Sequence, residues 1–240
     1  MLEQTAIIMY SHSSYSDAWS MFVGQADKYI PECERYLFAD HSPISLPSKW
    51  KLITYDDAQS YNTRFASCLD SVKEEFVILH HEDMPLYGPP NKEKLTEYLD
   101  LLKNSDLHYI KLIKGGELRD IPYEGHDDLF KIPHDSSCIF AVQPTLWKTK
   151  SLAKIYYNTR VEHIHDFEPK SQVVCKIHKI HGLYSYRGEP KRGLYHHDSS
   201  VYPYVATAIV KGKWNLTEYG TELRELFEEY KIQPNKRGVF

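Results

Sequence analysis

The stretch Phe76-Val77-Ile78-Leu79-His80-His81-Glu82-Asp83-Met84 constrains the fold more than any other part of the chain. Four apolar residues, too few for a helix and rich in strand formers, run straight into two histidines and two acids. Pro85 and Gly88-Pro89-Pro90 then stop regular structure. The pattern predicts a buried strand that delivers carboxylates to its own carboxyl end. In open α/β sheets the loops leaving that edge line a ligand crevice. Paired hard oxygen donors there suit Mg²⁺ or Mn²⁺, which take one or two protein carboxylates and complete their shell with substrate phosphates. A solvated acidic turn is the other reading of the same residues.

The chain on either side repeats this strand-then-polar pattern. Thr5-Ala6-Ile7-Ile8-Met9-Tyr10 reads as a first strand, followed by the polar loop Ser11-His12-Ser13-Ser14 and a helix that Asp17 caps, with Trp19, Phe22 and Val23 inward. Residues 35–40 and 50–55 read as two more strands, the latter ending in Asp56-Asp57. Tyr61, Phe65, Cys68, Leu69 and Val72 share one helical face and return the chain to residue 76. This order predicts a mostly parallel sheet flanked by helices, a Rossmann-like α/β arrangement in a single domain over residues 1–240.

Beyond the stop at 88–90, Asn91 caps a helix carrying Leu95, Tyr98, Leu99 and Leu102, and residues 108–113 form a strand. Residues 115–135 lack a period and read as an irregular loop near the site. A strand over 137–142 is expected next, with Pro144 early in a helical turn and a helix through Leu152, Ile155 and Tyr156. Asp166 and Glu168 precede a helix bearing Val173, Val174 and Ile177. Residues 183–186 form a short strand, 188–198 a basic, glycine-flanked loop, and Thr217 begins a last amphipathic helix through Leu223, Leu226, Phe227 and Tyr230.

Composition narrows the class. With 29 basic against 33 acidic residues there is no broad phosphate-binding surface, so no nucleic-acid partner is expected. Cys33, Cys68, Cys138 and Cys175 show no CxxC spacing and read as reduced core thiols, which together with an amino terminus lacking a basic region points to a cytoplasmic protein without a signal peptide. No apolar run reaches membrane-spanning length. The 19 tyrosines and 13 histidines suit a site that stacks on sugars or bases, and equally a core with polar tips.

Three groups carry candidate chemistry: Glu82 with Asp83, Asp166 with Glu168, and the loop from Lys191 to Asp198. They fit the displacement of a phosphorylated leaving group, with a metal and cations stabilising a departing diphosphate and a carboxylate opposite taking a proton from a hydroxyl. Here the chain resembles the small glycosyltransferases of the GT-A fold, which use a nucleotide diphosphate-sugar donor. The resemblance rests on element order, on residues 79–84 in the place of the family's acidic metal motif, on Phe140-Ala141-Val142-Gln143-Pro144-Thr145-Leu146-Trp147, and on Asp166-Phe167-Glu168 where the family carries its base. His81 stands where the family often has aspartate, and the second motif has a phenylalanine between its acids.

The resemblance implies site roles. Asp83 would contact Mn²⁺ or Mg²⁺ and the donor diphosphate, Glu82 the donor ribose or sugar, and Glu168 or Asp166 the acceptor hydroxyl. Tyr10, Ser11 and His12 with Asp56 and Arg64 would surround the nucleoside, while His197, Lys191 and Arg192 would approach the diphosphate. Metal ligands would come from Asp83, Glu82 and His197. Residues 1–113 would be mainly the donor half and 114–240 mainly the acceptor half, in an inverting enzyme of polysaccharide or surface-glycan synthesis whose partners are the donor and a glycan acceptor.

Two other classes fit parts of the pattern. His80-His81-Glu82-Asp83, His163-Ile164-His165-Asp166 and His196-His197-Asp198 offer ligands for a zinc or two-metal hydrolase, although HExxH spacing is absent. A non-catalytic sugar- or nucleotide-binding module differs from the transferase only in lacking a working base.

Overall fold

The computed structural model describes residues 2–116, 118–161 and 164–240. Its organising element is β4 (Phe76–His81), which pairs in parallel with β1 (Thr5–Tyr10). Outside β1 lie β2 (Glu34–Ala39) and β3 (Trp50–Thr54), all in the same direction. The helices α1 (Ser16–Tyr29) and α2 (Tyr61–Leu69) make the crossovers into β2 and β4. The uninterrupted apolar runs are explained by burial on both faces. Ile7, Met9, Phe76 and Ile78 enter one core, while Ala6, Ile8, Val77 and Leu79 enter the other.

On the far side of β4 the sheet becomes mixed. After α3 (Lys92–Lys103) come β5 (Tyr109–Lys111), β6 (Ile121–Pro122), β7 (Leu129–Lys131), β8 (Thr145–Lys148), α4 (Thr149–Asn158), α5 (Ile164–Ile177) and β9 (Gly182–Ser185). The strand order is β3-β2-β1-β4-β8-β5-β9-β7-β6, with β8 antiparallel to both neighbours and β9 parallel to β5. A Cβ on Gly182 would meet the Tyr109 carbonyl oxygen at 2.4 Å, so glycine is what lets β9 approach β5. The ribbon β10 (Ile209–Val210) with β11 (Lys213–Trp214), then α6 (Leu216–Glu229) and α7 (Pro234–Arg237), complete the chain.

Asn91 caps α3 as expected, its Oδ1 accepting from the Lys94 amide at 3.0 Å. Other expectations give way. Asp17 does not cap α1; the helix starts at Ser16, and the Asp17 carboxylate is held by the Arg237 guanidinium, Nε donating at 3.0 Å. Residues 115–135 are not wholly irregular, since β6 and β7 form a short antiparallel pair at the sheet's far edge. Residues 137–142 form no strand. There the Gln172 side chain takes the place of a strand partner, accepting from the Phe140 amide at 3.0 Å and donating to its carbonyl at 2.7 Å. The strand lies later, at Thr145–Lys148, and Pro144, lacking an amide donor, precedes it instead of opening a helix.

In α5 both acids lie inside the helix. Its buried face is Phe167, Ser171, Gln172 and Cys175, whereas Val173 and Ile177 are 57% and 70% exposed. All four cysteines are free, with Cys33, Cys68 and Cys175 buried. No described helix is long and apolar enough to cross a membrane.

Candidate active site

The β1 and β4 registers decide where the site forms. Tyr10 is paired with His81, so the segments that follow, Ser11-His12 and Glu82-Asp83, leave the sheet side by side at its carboxyl edge. They line a cleft of about 580 Å³ together with Tyr10, Tyr55, Tyr61 and Arg64. Aromatic packing fixes its floor. Tyr10 stacks on Tyr55 at 5.4 Å and meets Tyr61 edge-on at 5.3 Å. Tyr55 donates its hydroxyl to the Ser11 carbonyl at 2.7 Å, and Trp19 Nε1 donates to Ser11 Oγ at 2.7 Å.

The rim is a chain of charges. Arg64 lies over the Tyr55 ring at 5.4 Å and pairs with Asp57 at 2.7 Å, and Asp57 lies 3.4 Å from His12 Nε2. Asp57 is therefore the engaged acid. The neighbouring Asp56 is exposed, accepts from the Ala58 amide at 2.9 Å in a local turn, and does not line the cleft. Asp40 anchors the loop after β1. Although burial works to raise its pKa, hydrogen bonds from Ser13 prevail and hold its carboxyl down at about 2.

Glu82 is buried and Asp83 half-buried, and neither has an ion-pair partner among the described residues. Burial raises both carboxyls above their ordinary range, and the charge of Asp83 raises Glu82 further. Asp83 Oδ2 accepts from the Ile209 amide at 3.4 Å, and its carbonyl accepts from Ala208 at 3.0 Å, which ties β10 to the acidic loop. Two carboxylates with no cation in direct contact, and only the charge of Arg237 acting on them from further off, fit a hard divalent ion, which would draw its remaining ligands from water or phosphate oxygens. His197 does not join them. It lies on another loop, its amide bonded to the Lys114 carbonyl and its ring edge-on to Tyr186 at 5.2 Å.

A second pocket, about 300 Å³, adjoins the cleft, and His81, Asp83, Ile164 and His165 line both. Glu168 lines this pocket, with one carboxylate oxygen accepting from the Val142 amide at 2.5 Å. Asp166, one helical position apart from this face, is exposed and lines neither cavity.

The basic loop is also elsewhere. Lys191 is exposed, and Arg192 is engaged with Glu222, Asp198 and the Glu218 carbonyl and lies over the Tyr219 ring at 4.6 Å. Lys211 lines the cleft as Arg64 does, at the turn between β10 and β11. Lys211 and Gly212 have φ of 50° and 76°, the pair of positive values that a two-residue hairpin of this type demands. The sequence signal is the Lys-Gly pair between Ile209-Val210 and Lys213-Trp214. His165 stands out in the sequence only within the His163-Ile164-His165-Asp166 cluster of the hydrolase alternative, and Tyr55 gives no signal beyond its residue type.

Among the described residues, the histidine and acid clusters that favoured a hydrolase form no common group of three metal ligands. His80 is buried against Phe22, with Nε2 2.9 Å from the Tyr202 hydroxyl, and His196 stacks on Tyr219. Glu162 and His163 lie outside the described residues.

No protein-family model and no curated protein sequence matches the chain. Solved structures do. The crystal structure of S. aureus TarS 1-349 aligns at a TM-score of 0.50 and 14% identity, over 95% of this chain and 64% of that one. The same protein in complex with UDP-GlcNAc aligns at 0.50 and 15%, over 94% and 66%. A 4-diphosphocytidyl-2C-methyl-D-erythritol synthase from Anaerococcus prevotii aligns at 0.45 and 10%, over 77% and 89%. The chain thus spans just under two thirds of the TarS fragment's length, and what the two share is the fold. Parallel β3-β2-β1-β4, an antiparallel β8 and a cleft at the carboxyl edge of β1 and β4 make this a GT-A-like α/β fold.

Proposed function

We propose that the chain is a glycosyltransferase that moves a sugar from a nucleotide diphosphate-sugar to a hydroxyl of a glycan acceptor, by a single inverting displacement. The observation that carries this reading is the pair of joined cavities: a tyrosine-floored cleft ending in the carboxylates of Glu82 and Asp83, and a pocket holding Glu168, with the wall of His81, Asp83 and His165 common to both.

In this reading Tyr10, Ser11, His12 and Arg64 hold the nucleoside, and Glu82 orients the donor sugar or ribose. Lys211 takes the place expected of Lys191 and Arg192 and offers its charge to the diphosphate. Mn²⁺ or Mg²⁺ held by Asp83 and Glu82 would neutralise charge on the leaving diphosphate. Glu168 is the base. Its bond from Val142 fixes one oxygen and leaves the other for the acceptor. As the acceptor oxygen bonds to the anomeric carbon, its proton passes to Glu168, and the bond to the diphosphate oxygen breaks with the electron pair going to the phosphate. Residues 1–113 supply most of the donor cleft, while His165 and Lys211 come to it from 114–240. The setting we propose is polysaccharide or surface-glycan synthesis. The reported complex of TarS with UDP-GlcNAc supports trying uridine donors first.

A thermal-shift series with UDP, GDP, dTDP, CDP and ADP, each with and without Mn²⁺, tests the donor site. At about a hundred times its dissociation constant a ligand stabilises the fold by ~2.7 kcal/mol. A metal-dependent shift with one diphosphate, lost in Asp83→Asn, is the expected result. No shift with any nucleotide overturns the reading. Turnover of the matching sugar donor distinguishes an enzyme from a binding module.

A further inference from the structure

At the sheet edge remote from the cleft, α3 and the turn between β6 and β7 bring Glu97, His126 and Asp128 together. One ligand atom from each lies within 4.8 Å of the others. The sequence explains how they meet. Glu97 faces outward from α3, and a turn closed by the His126 amide on the Tyr123 carbonyl presents the imidazole, with Gly125 at φ 85°. His126 Nδ1 is 3.1 Å from Glu97 Oε1.

Asp128 is the unusual member, being only 3% exposed. Its Oδ2 accepts from the Tyr98 hydroxyl at 3.1 Å and from Lys94 at 3.1 Å. Among the described residues, its Oδ1 is buried with no partner. An orphaned carboxylate oxygen costs free energy that a cation would recover. Lys94, which also reaches Glu97 Oε2 at 2.8 Å, neutralises part of the cluster, and Arg187 approaches Asp128 at 3.9 Å. Neither reaches Oδ1.

We infer that this cluster is a second metal site, separate from the cleft, for a zinc-class divalent ion. One imidazole and two carboxylates are a donor set that zinc accepts at about 2.0–2.2 Å, with water in the fourth position. The ligand atoms, within 4.8 Å of one another, would draw in towards the ion by side-chain rotation, since tetrahedral ligands at these lengths stand about 3.4 Å apart. The ion would clip α3 to the β6–β7 pair, and Lys94 would compete with it for the same carboxylates.

The test is isothermal titration of zinc chloride into the untagged full chain, with thermal unfolding alongside. One site and a raised Tm are expected. His126→Ala and Glu97→Gln, both at partly exposed positions, should each weaken binding by more than about tenfold while unfolding cooperatively. Lys94→Met should bind zinc more tightly than the wild type, and Asp83→Asn, which removes the cleft's own metal-binding carboxylate, should keep the site at Glu97, His126 and Asp128. Absence of binding in both wild type and Lys94→Met overturns the inference, as does undiminished binding in His126→Ala. Loss of binding in Asp83→Asn overturns it too, by moving the ion to the cleft.

Discussion

Glu168 and Asp166 differ by two positions in α5 and so face different surroundings, which separates their predicted effects. Glu168→Gln keeps the size and an oxygen that accepts from the Val142 amide but removes the base that takes the proton. Transfer should fall by roughly 10²–10⁴ with donor affinity unchanged. Asp166→Asn should leave both near wild type, because the carboxylate is exposed and lines neither cavity. Steady-state rates on the donor found by thermal shift check the pair, and a larger loss in Asp166→Asn would transfer the base to that residue. The sequence left the two acids undecided because residue type carries no direction, and only the helix start at Ile164 orients them.

Lys111 makes a second prediction at the same scale. It is 1% exposed at the end of β5, where burial lowers its pKa from the ordinary 10.5 to about 8 and its ammonium donates to the Cys138 carbonyl at 2.5 Å. The folded chain therefore holds this proton less tightly than the unfolded one. Between pH 8 and 10.5 the unfolded state binds more protons, so stability rises with pH across that window. Below pH 8 the buried charge costs on the order of 3 kcal/mol. Denaturant titrations from pH 7 to 10.5 should show that rise in the wild type and its absence in Lys111→Met, which also separates it from thiol and phenol titrations in the same range.

At the scale of elements, the turn joining β10 to β11 brings Lys211 to the cleft and depends on Gly212. At φ 76° an alanine side chain is strained, so Gly212→Ala should cost about 1 kcal/mol of stability. It should weaken nucleotide binding through displacement of Lys211. Binding unchanged at the lower stability would remove Lys211 from the diphosphate's surroundings. Long or strongly patterned elements were legible in the sequence: residues 76–83 declared both strand and acidic edge, and Asn91 declared a cap. Short ones were not. The four residues of β8 look in sequence like part of a helical turn, and the apolar run at 137–142 looks like a strand because nothing local shows that Gln172, thirty-two positions from Phe140, supplies its hydrogen bonds. Arg192 was assigned to the diphosphate because a basic loop does not reveal which acids, here Glu222 and Asp198, it will meet.

Across the whole molecule, the cleft is lined by residues from Tyr10 to Gly212, and Arg237 braces two of the segments that line it. Arg237 donates to Asp17 near the start of α1 and to the Gly212 carbonyl at 3.2 Å, and its guanidinium lies over the rings of Tyr15 at 4.7 Å and Trp214 at 5.6 Å. One side chain thus ties α1, the β10–β11 ribbon and α7 to a single rim, and its charge acts favourably on the carboxylates of Glu82 and Asp83. No reading of local pattern reaches such a contact, because its partners are 220 residues apart. Arg237→Ala should leave the nine-stranded sheet intact, since α7 has no buried residues, and so lower Tm only slightly. It should nevertheless weaken nucleotide binding, because both the rim and the countercharge are lost. Arg237→Lys, which keeps the charge without the fork that spans Asp17 and Gly212, should recover only part of it. Full recovery by lysine would make the effect electrostatic alone, and unchanged binding in Arg237→Ala would detach the two chain ends from the donor site.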